Sequence, residues 1–158
     1  MAVSTILFDL DDTLIHERRS DDETRQAVAD YLNTNFGIDV EEAVRIIADE
    51  SRRIWLSDCP VRDYCEDIGI SPAECLVGGF TGSNPNLTAL RNWVPAFRNS
   101  VWRRVADRSG ARGKGLPETL CELFIAERRT RHVSFPESEQ VLRDLSRDFP
   151  LGLLPNGA

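Results

Sequence analysis

A long stretch of helical patterning held between two short apolar runs constrains this chain more than any other feature. Residues 3–8 are apolar with several β-branched side chains, and residues 151–154 read Leu-Gly-Leu-Leu before Pro155, Asn156 and Gly157. Short apolar runs bounded by polar or turn residues predict buried strands. Between them, residues 21–132 carry helical signals. Val28, Tyr31, Leu32 and Phe36 recur at helical spacing, with Gly37 placed to end that helix. Val44, Ile47 and Ile54 mark a second helix. Ser71-Pro72-Ala73-Glu74 is a capping box with proline at the first helical position. Residues 78–86 and 110–115 predict loops, and Pro95 and Pro117 are each placed to open a helix. Val141, Leu142 and Leu145 mark one more helix. Two strands alone make a marginal sheet, so the pattern predicts an incomplete sheet interrupted by an all-helical insertion.

Composition matters here for what it excludes. The formal charge of −7 argues against nonspecific nucleic-acid binding and against attraction to anionic membranes. It leaves phosphorylated substrates open, because the field in a site is set by local groups. No apolar run approaches a membrane span, and the first residues lack a basic segment followed by an apolar one. A cytoplasmic location is the expectation. Cys59, Cys65, Cys75 and Cys121 form no C-x-x-C pair, and the histidines are His16 and His132. That spacing carries no zinc pattern and predicts reduced, partly buried thiols.

The chemistry-bearing motif is Phe8-Asp9-Leu10-Asp11-Asp12-Thr13-Leu14, directly after the first apolar run. A calcium loop is excluded, because the sixth position should be glycine and is Leu14. The segment resembles the first motif of the haloacid dehalogenase (HAD) superfamily, D-x-D-x-T after an apolar strand. That resemblance implies an α/β fold: a Rossmann-like core, incomplete here with only its first two strands, and a large α-helical cap insertion. It divides the chain into residues 1–16 and 133–158 as partial core and 17–132 as cap. It implies that Asp9 attacks phosphorus and that Asp11 protonates the leaving alcohol and then activates water. It also implies that Mg2+ binds the Asp9 side chain and the Asp11 main-chain carbonyl. In extended backbone, residues two apart face one side, so both aspartates can converge on one phosphoryl group. A carboxylate approaching a phosphate dianion meets repulsion that a divalent cation relieves. Thr13 is expected to tie down the loop through its hydroxyl. Dehalogenating members lack the second aspartate, so Asp11 points to phosphoester chemistry.

Phe135-Pro136 resembles the aromatic-proline step leading from cap to core, although Glu137 replaces the usual glycine. Residues 151–157 resemble the second motif, with Pro155 where a hydroxyl residue belongs; Asn156 and Gly157 remain as phosphate-binding candidates. The third motif, a basic residue, and the fourth, an acidic pair, have no match, since Lys114 lies in a cap loop. Arg103, Arg104, Arg108, Arg112 and Lys114 read as a solvated basic face, Trp55, Trp93 and Trp102 as packing, and His16 as an exposed loop histidine. The expected function is a magnesium-dependent phosphatase acting on a small phosphorylated metabolite, a sugar phosphate or nucleotide monophosphate, with phosphomutase chemistry sharing the same motif. The alternative is a truncated, inactive remnant or helical interaction module.

Overall fold

The computed structural model describes residues 3–154 and contains, among them, seven helices and two strands. In chain order these are β1 (Ile6–Phe8), α1 (Glu17–Phe36), α2 (Val40–Asp58), α3 (Arg62–Ile68), α4 (Pro72–Val77), α5 (Pro85–Ser109), α6 (Leu116–Thr130), α7 (Ser138–Leu145) and β2 (Leu151–Leu153).

The Rossmann-like α/β core expected from the sequence is not what the chain builds. The described residues are mostly helical, and β1 and β2 form a two-stranded parallel ladder pairing Ile6 with Leu151 and Phe8 with Leu153. A parallel sheet of the Rossmann kind is covered by helices on both faces. Here the ladder is three residues long on each side, and Leu7 and Leu153 stand exposed. Six strand residues cannot bury two faces, so helix packing sets the architecture instead.

That packing joins α1 to α2, α2 to α5, α5 to α6 and α6 back to α1, with α4 laid against α2, α5 and α6. The core holds Leu32 and Ile47 from α1 and α2, Phe97 and Trp102 from α5, and Phe124 from α6. Burying one such side chain stabilises the fold by about 1.5–3 kcal/mol. Local signals set the helix ends. Asp39 accepts from the Glu42 N–H at 2.9 Å, and Ser71 and Glu74 form the reciprocal capping box. Gly37 ends α1 at φ 71°, a left-handed conformation that suits a residue without Cβ.

Pro95 does not open a helix. It lies inside α5, whose start is Pro85, capped by the Asn84 side chain accepting from the Asn86 N–H at 2.8 Å. Both Asn84-Pro85 and Pro95 fit helix starts locally. The apolar stripe of Leu90, Val94, Phe97 and Val101 runs unbroken through Pro95, and its burial against α2 and α6 carries the helix across. The antiparallel Ile15–Ser134 bridge joins the helical body to the ladder segments, through hydrogen bonds from the His16 N–H to the Val133 carbonyl (2.7 Å) and from the Phe135 N–H to the Leu14 carbonyl (3.2 Å).

Candidate active site at the loop after β1

After β1 ends at Phe8, the chain passes Asp9 to Asp11 and turns at residues 12–14. The Leu10 carbonyl accepts from the Leu14 N–H at 2.9 Å and the Ile15 N–H at 3.1 Å. Asp12 adopts φ 51°, a left-handed conformation that aspartate tolerates better than most residues. Leu14 is buried beneath the turn, and its carbonyl accepts from the buried Ser138 hydroxyl at 2.8 Å. These main-chain bonds and Ser138 hold the loop. Thr13 does not tie it down: the residue is exposed, and its hydroxyl makes no hydrogen bond among the described residues. A turn closed by its own backbone leaves that hydroxyl pointing to solvent. His16 is not a free loop histidine either, since its ring packs on Phe135 with centroids 3.5 Å apart.

Asp9 is exposed at the end of β1, with one carboxylate oxygen accepting from the Leu10 N–H at 2.9 Å. Asp11 is half-buried and lies close enough to Asp9 to feel its charge. Burial first, then the charges of Glu17 and Asp9, push the Asp11 carboxyl above the usual carboxylate range, with Arg128 opposing. Asn156 and Gly157, with Pro155, lie outside the described residues.

Asp11 and Asp12 open onto a cleft of about 710 Å³. Its walls are one face of α1, including Glu17 and Asp21, one face of α2, including Arg52 and Trp55, and α3 and α4 with the turn between them, including Cys65 and Glu74. Asp9 does not line it. Arg128, from α6, supports the α1 wall: its guanidinium bonds the Glu17 carboxylate and lies 3.5 Å from Asp21. Burial, against the pull of Arg25, raises the Asp21 carboxyl; burial also raises Glu74 despite two hydrogen bonds with Ser71. The Cys65 thiol is pushed up to about 12 by burial and by neighbouring Cys59, so it is protonated at neutral pH and is no nucleophile. Glu17 and Glu74 reach this cleft, and Arg128 braces it from behind, from three elements far apart in sequence, which no local motif could announce.

The other sequence candidates resolve as packing or surface. Trp102 is core, Trp93 stacks on Phe97 at 4.6 Å, and Trp55 is buried at the cleft wall. Arg108 pairs with Glu50 at 2.8 Å and Arg112 with Asp107 at 3.6 Å, while Arg103, Arg104 and Lys114 are exposed. The cysteines are unpaired thiols. Among the described residues, no group of three or more His, Cys, Asp and Glu side chains could hold a metal ion, and no helix is long and apolar enough to cross a membrane. Among the described residues, one Asp9 carboxylate oxygen accepts no hydrogen bond. No protein-family model matches the chain, and no curated protein matches it.

Proposed function

We propose that the loop after β1 is the nucleophile loop of a HAD-type phosphatase acting on a small phosphorylated metabolite, such as a sugar phosphate or nucleotide monophosphate. The observation that supports this most is the juxtaposition of an exposed carboxylate, Asp9, with a half-buried one, Asp11, whose affinity for a proton is raised and which faces a cleft. Two carboxyl groups in unlike environments suit two roles, attack and proton transfer. An Asp9 oxygen bonds to phosphorus as the ester P–O bond breaks, and Asp11 delivers its proton to the departing alkoxide. Asp11 then takes a proton from water, the water oxygen bonds to phosphorus, and the acyl-phosphate bond breaks to release phosphate and restore Asp9. Magnesium, held by Asp9 and the Asp11 carbonyl, would supply neutralisation of the incoming dianion.

Trapping with beryllium fluoride and magnesium, followed by mass spectrometry, tests it. The adduct is expected on Asp9, and Asp9→Asn should remove the adduct and lower turnover on the order of 10^6-fold, the scale seen when a nucleophile is deleted. The fold should be unaffected, since Asp9 is exposed. An adduct on Asp11 or Asp12 with Asp9 unmodified overturns the assignment. Absence of both adduct and turnover would leave the helical body as a binding module.

A further inference from the structure

We infer that Arg52 receives a second anionic group, a carboxylate or phosphate, on the leaving-group side of the substrate; this rests on the phosphatase reading of the Asp9 loop. Most charges in the cleft have partners. Asp12 pairs with Arg18 at 3.3 Å, and Glu17 and Asp21 share Arg128. Asp21 also has Arg25 at 3.6 Å, Glu66 has Arg62 at 3.8 Å, and Glu74 accepts from the Ser71 N–H at 2.6 Å. Of the cleft's carboxylates, Asp11 makes no ion pair or hydrogen bond among the described residues, and Arg128 acts on it only from beyond contact distance. Of its cations, Arg18 is held by Asp12, and Arg25 by Asp21 and Asp22. Arg52 has no hydrogen bond or ion pair among the described residues. The cleft therefore offers one unpaired carboxyl and one unmatched guanidinium.

Arg52 lies on the cleft-facing stripe of α2, four residues after Ala48 and three before Trp55. Arg52 is exposed, like the unpaired Arg103 and Arg104 of α5, but unlike them it lines this cleft. A guanidinium is a rigid planar fork that matches carboxylate or phosphate oxygens two at a time. A neutral leaving group would leave it solvated and gain nothing. A leaving group ending in an anion gains a charge-assisted contact, and Trp55 gives that side of the cleft a fixed apolar wall. Arg52 is thus a specificity-determining residue: it selects among phosphate monoesters by what they carry besides the scissile phosphate.

Two matched substrate pairs test this. Glycerol 3-phosphate and 3-phosphoglycerate differ by a carboxylate, and fructose 6-phosphate and fructose 1,6-bisphosphate by a second phosphate. At least one anionic member should be favoured by roughly tenfold in kcat/KM, mainly through KM, consistent with one partly exposed charge-assisted contact. The responding pair identifies the anion. Arg52→Gln should bring that ratio to about one, Arg52→Lys should restore part of it, and Arg104→Gln should leave it intact. A ratio near one for both pairs in the unsubstituted protein, or a preference that survives Arg52→Gln, overturns the inference. An Asp9 adduct in the same preparation would then keep the phosphatase reading standing. Loss of both adduct and turnover defeats that reading, and this inference with it.

Discussion

In the helical body Trp102 and Phe124 are 0% exposed, whereas at the ladder Leu7 and Leu153 are 56% and 54% exposed. The two regions thus rest on different physics. The body buries apolar area from four long helices, while the ladder contributes backbone hydrogen bonds and little burial. The Asp9 loop lies at their junction and is held by main-chain bonds rather than packing. Stability and chemistry are therefore carried by separate residues, and substitutions can separate them. The largest contrast is between Trp102→Ala and Leu7→Thr. The first should cost about 3–5 kcal/mol, the range for removing a buried aromatic. The second should stay within about 0.5 kcal/mol, as for a surface site. Chemical denaturation measures both, and equal costs would mean that the ladder belongs to the same cooperative core.

A smaller effect concerns the charge buried in the body. Glu50 is 3% exposed and accepts from both Arg53 and Arg108. Burial alone would raise its carboxyl, but the two guanidiniums outweigh it and hold the group below its ordinary 4.5. A carboxylate lowered on folding stabilises above its unfolded value, and that contribution disappears as pH falls through the folded value. Glu50→Gln should therefore destabilise by about 1–2 kcal/mol at pH 7, since both arginines are partly exposed and regain water. The gap between the two proteins should be constant above pH 4.5 and close below it. A gap that persists in acid would assign the loss to packing rather than charge.

The body was far more legible in the sequence than the ladder. Gly37, Ser71-Glu74 and the stripe through Val28 and Leu32 each act within one or two turns, so local pattern reads them correctly. The two apolar runs do pair in parallel, but how many strands join them is a long-range property that two runs do not contain. The proline signal misled at Pro95 because tertiary burial overrode a local breaker. At the site, D-x-D gave Asp9 and Asp11 their neighbourhood. Thr13 failed because backbone bonds had already closed the turn. Arg128, Glu17 and Ser138 were invisible because each acts through a partner more than a hundred residues away, at separations of 111 and 124.

Ser138 gives the finest test of the contrast, because among the described residues it is the one buried side chain hydrogen bonded to the loop's backbone from beyond the helical body. Its hydroxyl donates to the Leu14 carbonyl at 2.8 Å, and the same carbonyl also accepts from the Phe135 N–H at 3.2 Å. Ser138→Ala removes a donor but orphans no acceptor, so the cost should be about 0.5–1.5 kcal/mol, the net value of one hydrogen bond. In a chain of this size that is a fall of about 2–4 °C in Tm per kcal/mol. The location of the loss is more telling than its size. Leu14 links the turn after Asp11 to the segment leading into α7, so losing the hydroxyl should speed hydrogen exchange at the Leu14, Ile15 and Phe135 amides. Amides of α2 and α5, whose protection comes from the packed core, should exchange as before, because local openings need not traverse the whole structure. Parallel acceleration in α2 and α5 would show that the junction and the body open as one unit, and the division between a stabilising body and a hydrogen-bonded loop would have to be abandoned.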